Sequence, residues 1–145
     1  MDMTLTLDEV YALAVDRLTD AGASAGNAAS VARSTWRAER DGIRSHGLMY
    51  VPIYVEHVRC GKVVGDAEPV VSRPRPGGVH VDAANGFAHP AIDAGWESFT
   101  SAAWENGVAS LTLHNSYNCG ILGHHAERLA AVSYTHLRAH ETKWH

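Results

Sequence analysis

The chain is predicted to be α/β in class, with a helical front half. Apolar residues recur at helical spacing from Leu7 to about Cys60, and a strand, a helix and a second strand follow in order after Gly77-Gly78. Between the two halves, Gly65, Pro69, Pro74 and Pro76 punctuate a stretch with neither periodicity.

Thr6-Leu7-Asp8-Glu9 has the spacing of a capping box, in which the Thr6 hydroxyl and the Glu9 carboxylate satisfy free N–H groups. Leu7, Val10, Tyr11, Ala14 and Leu18 then form a helical stripe that Gly22 stops. Ser24 is the next cap, and Ala28, Val31, Ala32, Thr35, Trp36 and Glu39 extend a second helix to about Arg40. Its many alanines favour helix and allow close packing against the first. The far end of this hairpin delivers Gly42 and the Ser45-His46 pair.

A third helix is expected from His46 or Leu48 to Cys60, starting late or kinked because of Pro52 and ended by Gly61. Lys62 to Pro76 is expected to be a mostly extended connection. Val79-His80-Val81-Asp82 alternates like a short strand, and Asn85-Gly86 signals a turn. Pro90 suits the first turn of a helix from about Ala91 to Glu105, with Ile92, Trp96, Phe99 and Ala103 as its buried face and Asn106-Gly107 as its close. Val108 to Leu113 is the clearest strand, so a βαβ unit with a right-handed parallel crossover is the default. A polar, glycine-bearing loop, His114 to Gly123, then feeds a helix of His124 to about Val132. Such a loop, leaving the carboxyl end of a strand, is where α/β proteins bind ligands, although a plain connection is the alternative and Gly-x-Gly-x-x-Gly spacing is absent.

A length of 145 residues, with 46% apolar and 19% charged residues, suits one soluble domain with a core. The net charge of −4, with scattered Lys and Arg, argues against nucleic acid as a partner. Cys60 and Cys119 make no disulfide framework, and no signal peptide or membrane-spanning stretch is apparent, so a cytoplasmic location is expected. Ser133 to His145 breaks the preceding pattern, resembles translated sequencing-adapter DNA, and is set aside as a non-native tail.

Ser45-His46-Gly47 is the tripeptide that most plausibly carries chemistry. Histidine titrates nearest neutrality, a neighbouring hydroxyl can orient it, and glycine leaves room for a ligand or backbone. The alternative is a capping serine beside a solvated imidazole.

From Glu39 to Leu129 the chain resembles the malate/L-lactate dehydrogenase family that is unrelated to the Rossmann-type lactate dehydrogenases, and that includes sulfolactate, ureidoglycolate and diketogulonate oxidoreductases and cyclic imino-acid reductases. The blocks that carry the resemblance are Gly42 with Ser45-His46-Gly47, Val51-Pro52 with Tyr54, and Gly61-Lys62-Val63. They continue with Val81-Asp82-Ala83, Gly86-Phe87-Ala88, Pro90-Ala91-Ile92-Asp93, Asn106-Gly107-Val108, and Asn115-Ser116 with Gly120 and Gly123. The resemblance implies a fragment, inactive alone, of a cytoplasmic homodimeric enzyme using NAD or NADP. Residues 1–76 would be a helical N-terminal region with its linker, and residues 77–132 the truncated start of a non-Rossmann NAD(P)-binding α/β domain. It implies hydride transfer between a 2-hydroxy acid and a 2-oxo acid (or a related imine), with His46 as proton donor and Ser45 orienting it. Ser116, Asn118 and Gly120 would touch the cofactor, and Tyr50 and Arg44 the substrate. Two positions depart from the family pattern: Tyr50 stands where many members carry a carboxylate-gripping arginine, and Asn118 where many carry histidine. Arg44 or Arg59 is the candidate replacement cation.

Two rival readings come from the residues themselves. One is a zinc site of His114, Cys119, His124 and His125, although their spacing fits no familiar motif. The other is a helical interaction or dimerisation module in which Trp36, Tyr50, Tyr54, Trp96 and Trp104 are core or interface residues. Asp93 is read as complementing a helix dipole, and Cys119 as lacking an activating base.

Overall fold

A computed structural model describes residues 4–132; the tail Ser133–His145 lies outside the described residues. Helix α1 (Leu7–Ala21) starts in the expected capping box, with Glu9 N–H donating to Thr6 and the Glu9 carboxylate accepting from Thr6 N–H, and ends at Gly22 in the left-handed region. Helix α2 (Ala25–Arg40) starts from Ser24. The alanines let the two helices approach closely: Ala14, Ala28, Ala32 and Ala38 are fully buried. Asn27 is buried at the start of α2 and donates to the carbonyls of Gly65 and Ala67, 2.9 Å each, which ties the hairpin to the 61–68 loop.

Two 3₁₀ turns, Arg44–His46 and Leu48–Tyr50, precede α3 (Val51–Arg59), whose first turn holds Pro52. Proline there removes an N–H that has no helical partner in any case.

The sheet has three strands in the order β1-β2-β3. Strand β1 (Val70–Arg75) lies where only an extended connection was expected, and pairs antiparallel with β2 (Gly78–Asp82). Its residues are almost all exposed, so no apolar alternation marks it. Pro74 is tolerated because the ladder loses register between Ser72 and Arg75 on this edge strand. Strand β3 (Ser110–His114) pairs parallel with β2, and α4 (Ala88–Asn106) connects them, so the expected βαβ unit is present. Pro90 sits in the first turn of α4, and Gly107 closes the helix with φ +77°.

The buried face of α4 differs from the expected one. Ala88, His89, Ala91, Gly95 and Ala102 are buried, while Ile92, Trp96, Phe99 and Ala103 are only partly so. The sheet comes so near that a Cβ on Gly95 would meet Val81 Cγ2 at 2.6 Å and Leu111 Cδ1 at 2.9 Å, which selects small residues for that face. Trp96 instead turns towards α5 (Leu122–Val132), where the Arg128 guanidinium lies 3.9 Å from its ring centre.

The core has a helical part, built on Leu18, Val31, Tyr54 and Val63, and a sheet part of Val79, Val81, Ala83, Ala91 and Ala102. Phe87, at the entrance to α4, is buried in the helical part and so locks the two halves together. Among the described residues, no helix is long and apolar enough to cross a membrane.

Candidate active site

The site begins where α2 runs out. Gly42 takes φ +72°, Ile43 N–H returns to the Ala38 carbonyl at 2.8 Å, and the chain enters the turn carrying Arg44, Ser45 and His46. Gly47 leaves room for a ligand or backbone in the sequence reading; in the fold the space is taken by a side chain, Glu39. Any side chain there would collide with the Glu39 carboxylate, whose Oε1 accepts from Leu48 N–H at 2.7 Å. Glu39 thereby fixes the second turn to the end of α2.

Ser45 Oγ lies 3.0 Å from His46 Nδ1, and both residues are exposed. The His46 ring lies nearly parallel to that of Tyr50, with centroids 6.1 Å apart and an 11° interplanar angle. Tyr50 meets Tyr54 edge-on at 4.8 Å, and the Tyr54 hydroxyl donates to Asn118 Oδ1 at 3.2 Å. A continuous line of contacts therefore joins the serine-histidine turn to the loop after β3, across 64 positions of sequence.

Asn118 Oδ1 also accepts from Gly120 N–H at 3.2 Å. The oxygen is thereby engaged twice, and the Asn118 amide also hydrogen-bonds towards the Tyr117 phenol, which ties the loop to the aromatic cluster. Ser116 is exposed at the carboxyl end of β3. Gly120, at φ +66°, seats the loop on the helices: a Cβ there would meet His89 Nε2 at 3.0 Å and Ser34 Oγ at 3.1 Å. Arg44 shares the turn with His46, whereas Arg59 lies at the end of α3 on the face that lines a groove with Arg17 and Cys60.

Sequence reasoning passed over Tyr117 and His57. His57 Nδ1 is 2.6 Å from the Tyr117 hydroxyl, and Tyr117 stacks edge-on with Tyr54 and Phe87. Burial, together with the neighbouring Tyr50 hydroxyl, pushes the Tyr117 phenol up to about 12. Burial likewise raises that of Tyr54. Both phenols are neutral at physiological pH and act as hydrogen-bonding groups.

The three histidines of the zinc reading go to separate partners. His114 pairs with Asp82 at 3.4 Å, His124 with Asp41 at 2.9 Å, and His125 with the Cys119 carbonyl at 2.8 Å. Among the described residues no group of three or more His, Cys, Asp or Glu could hold a metal ion. Asp93, read as a dipole partner, is an ion-pair hub. It accepts from Ser30 at 2.6 Å, Arg33 at 2.9 Å and Arg128 at 2.6 Å. Although burial opposes it, these partners lower its pKa. Ser30, Arg33, Ser34 and Arg37 fall at helical spacing on one face of α2, a polar stripe visible in the sequence but not singled out there.

A helical hairpin carrying an exposed histidine turn, joined to a βαβ unit whose polar loop leaves the carboxyl end of a parallel strand, is an α/β architecture of the kind that enzymes use. The chain belongs to the malate/L-lactate dehydrogenase family, whose model matches residues 5–140. It is 41% identical over 118 residues to the Δ1-pyrroline-2-carboxylate reductase of Ancylobacter novellus, a match covering 81% of this chain and 35% of that protein. It is 39% identical over 132 residues to the (2R)-3-sulfolactate dehydrogenase (NADP(+)) of Chromohalobacter salexigens, covering 90% of this chain and 39% of that protein. Among solved structures, the malate dehydrogenase of Entamoeba histolytica superposes with a TM-score of 0.83 at 22% identity, over 91% of this chain and 37% of that one. Sulfolactate dehydrogenase of Methanocaldococcus jannaschii gives 0.81 at 22% identity, over 89% and 38%. These two likenesses establish the fold. The chain thus spans a little over a third of the length of the curated relatives it matches.

Proposed function

We propose that this chain is the N-terminal part of a cytoplasmic, homodimeric NAD(P)-dependent oxidoreductase that interconverts a small 2-hydroxy acid, or the corresponding cyclic amino acid, with its 2-oxo or imine form. Residues 77–132 would open its cofactor domain. Support comes from the unbroken line Ser45–His46–Tyr50–Tyr54–Asn118, which sets a titratable ring and a polar loop on the same side of the molecule. The relatives' names supply the reaction class, as a dehydrogenase of a 2-hydroxy acid and as reductases of a cyclic imine.

The residues present fit one edge of a nicotinamide dinucleotide: exposed Ser116, exposed Asn118 and the start of α5 lie at the end of a parallel strand. When bound, the cofactor supplies or accepts the hydride. His46 would manage the proton. In its charged form the ring donates Nδ1–H to Ser45 Oγ and holds Nε2–H towards the substrate oxygen or nitrogen. Losing the Nε2 proton leaves the Nδ1 hydrogen bond intact, so the ring need not turn during reaction. Tyr50 stacks against that ring and restricts its tilt. With tyrosine at position 50, Arg44 is the cation nearest in sequence for a substrate carboxylate.

In the parent enzyme, His46→Ala is expected to lower kcat by roughly 10²–10⁴-fold, the usual worth of general acid help, with the Kd for NADPH unchanged. Steady-state reduction of Δ1-pyrroline-2-carboxylate and of a 2-oxo acid, alongside cofactor titration, measures both. Unchanged turnover in the variant would remove His46 from the reaction.

A further inference from the structure

Behind the loop that ends at Gly120, a cavity of about 280 Å³ opens between α2, α4 and α5. Its walls carry three guanidinium groups, from Arg33 and Arg37 on α2 and Arg128 on α5. One carboxylate, Asp93, faces them, and Ser30, Arg33 and Arg128 already bind it. Asp41, which pairs with the lining residue His124, is also bound to Arg40. The cavity thus keeps a net positive charge with every histidine neutral. Arg37 has no acidic partner among the described residues, nor does the Ser34 hydroxyl make a hydrogen bond among them.

His89 lines the same cavity from α4 and is only 7% exposed. Neither of its ring nitrogens has a hydrogen-bond partner of sound geometry, although the Cys119 carbonyl lies nearby. His124 Nδ1 is buried and unpartnered as well. Unsatisfied buried polar atoms destabilise a fold, and here they belong to two histidines that line one cationic cavity.

We infer that this cavity binds a small oxyanion of the phosphate class, held by Arg37, Ser34 and a neutral His89 N–H with Arg33 and Arg128 alongside. Donors arrive from three helices at once. A tetrahedral anion offers acceptors in all those directions, whereas a planar carboxylate offers a single edge. The volume is at the small end of ligand pockets, which suits an anion better than an extended molecule. The site uses neither Ser45 nor His46 and does not depend on the proposed turnover. Phosphate chemistry has two sources, free inorganic phosphate or a phosphoryl group of a nucleotide reaching behind the loop.

Isothermal titration of the 145-residue chain with inorganic phosphate tests the inference. Saturable one-site binding is expected, weakened at least tenfold in Arg37→Gln and also weakened in Ser34→Ala, with circular dichroism confirming that both variants fold. Arg73→Gln serves as control, because Arg73 is engaged with Glu105 on the far edge of the sheet, and should bind as the parent chain does. No saturable binding by the unaltered chain, or equal binding by Arg37→Gln, would overturn the site. Repeating the titration with NADPH present identifies the source: lost phosphate binding means the nucleotide's phosphoryl group fills the cavity, and retained binding means free phosphate does. Either result supports the site.

Discussion

At the scale of single residues, the legible and the illegible parts of the site separate by distance along the chain. Ser45 and His46 are adjacent, so their hydrogen bond is written into the sequence. The Tyr54–Asn118 and His57–Tyr117 contacts span 64 and 60 positions, and no local pattern encodes them. His89 was invisible for another reason: it stands at a helix start, where histidine is ordinarily solvated, and only tertiary packing makes it buried and unpartnered. Its burial has a thermodynamic signature. Desolvation, followed by the neighbouring His125, lowers the His89 pKa from 6.5 to about 4. The unfolded chain therefore binds the proton more readily, so stability is greatest above pH 6.5, falls as the pH drops towards 4, and is flat with respect to this group below that. The loss amounts to up to about 3 kcal/mol from the two pKa values. Urea unfolding from pH 7.5 to 4, in phosphate-free buffer, should show this fall in the unaltered chain and a shallower one in His89→Leu. Parallel pH profiles would mean that His89 already satisfies its ring in solution.

The elements were legible where a side chain caps them and illegible where packing alone decides. Thr6, Ser24, Gly22 and Gly107 act through bonds or backbone angles within a few residues, and the corresponding ends of α1, α2 and α4 fall where those residues place them. Strand β1 carries no such signal, being an exposed edge interrupted by Pro74. The rotation of α4 was missed because large apolar residues drew attention from the small ones that in fact face the sheet. Gly95 makes this testable. In an open helix, Gly→Ala would gain about 1 kcal/mol from propensity alone. Here the new methyl group would press on Val81 and Leu111, and overpacking of that kind costs about 1–3 kcal/mol. Gly95→Ala should therefore leave the chain less stable than the parent sequence by roughly 1 kcal/mol, a net of these two effects. A raised denaturation midpoint would show that α4 can lift from the sheet at no cost.

For the molecule as a whole, the fold class, the order of strand, helix and strand, and the family could all be read from the sequence, because each rests on patterns spread over many residues. What the sequence hid was how the halves meet: Phe87 reaches into the helical core, while Tyr117 brings the loop after β3 down onto Tyr54 and His57. That union puts the serine-histidine turn and the loop of Ser116, Asn118 and Gly120 on one wall. A dinucleotide needs more than a wall. Strand β3 has a partner on one side only among the described residues, Ser116 and Asn118 are exposed, and the chain covers 35% and 39% of two relatives. Dinucleotide affinity arises from burying the cofactor in a cleft, since pockets typically enclose about 70–90% of a ligand's surface. On the proposed reading, this wall would supply a minor share of that contact. The 145-residue chain should accordingly bind NADPH at least about 100-fold more weakly than the parent enzyme, a deficit of only about 2.7 kcal/mol in contact energy. Titrating NADPH fluorescence against each protein measures the ratio. If the two dissociation constants agree within about tenfold, which is about 1.4 kcal/mol, the nucleotide site is already complete in these residues and the loop is more than one edge of it.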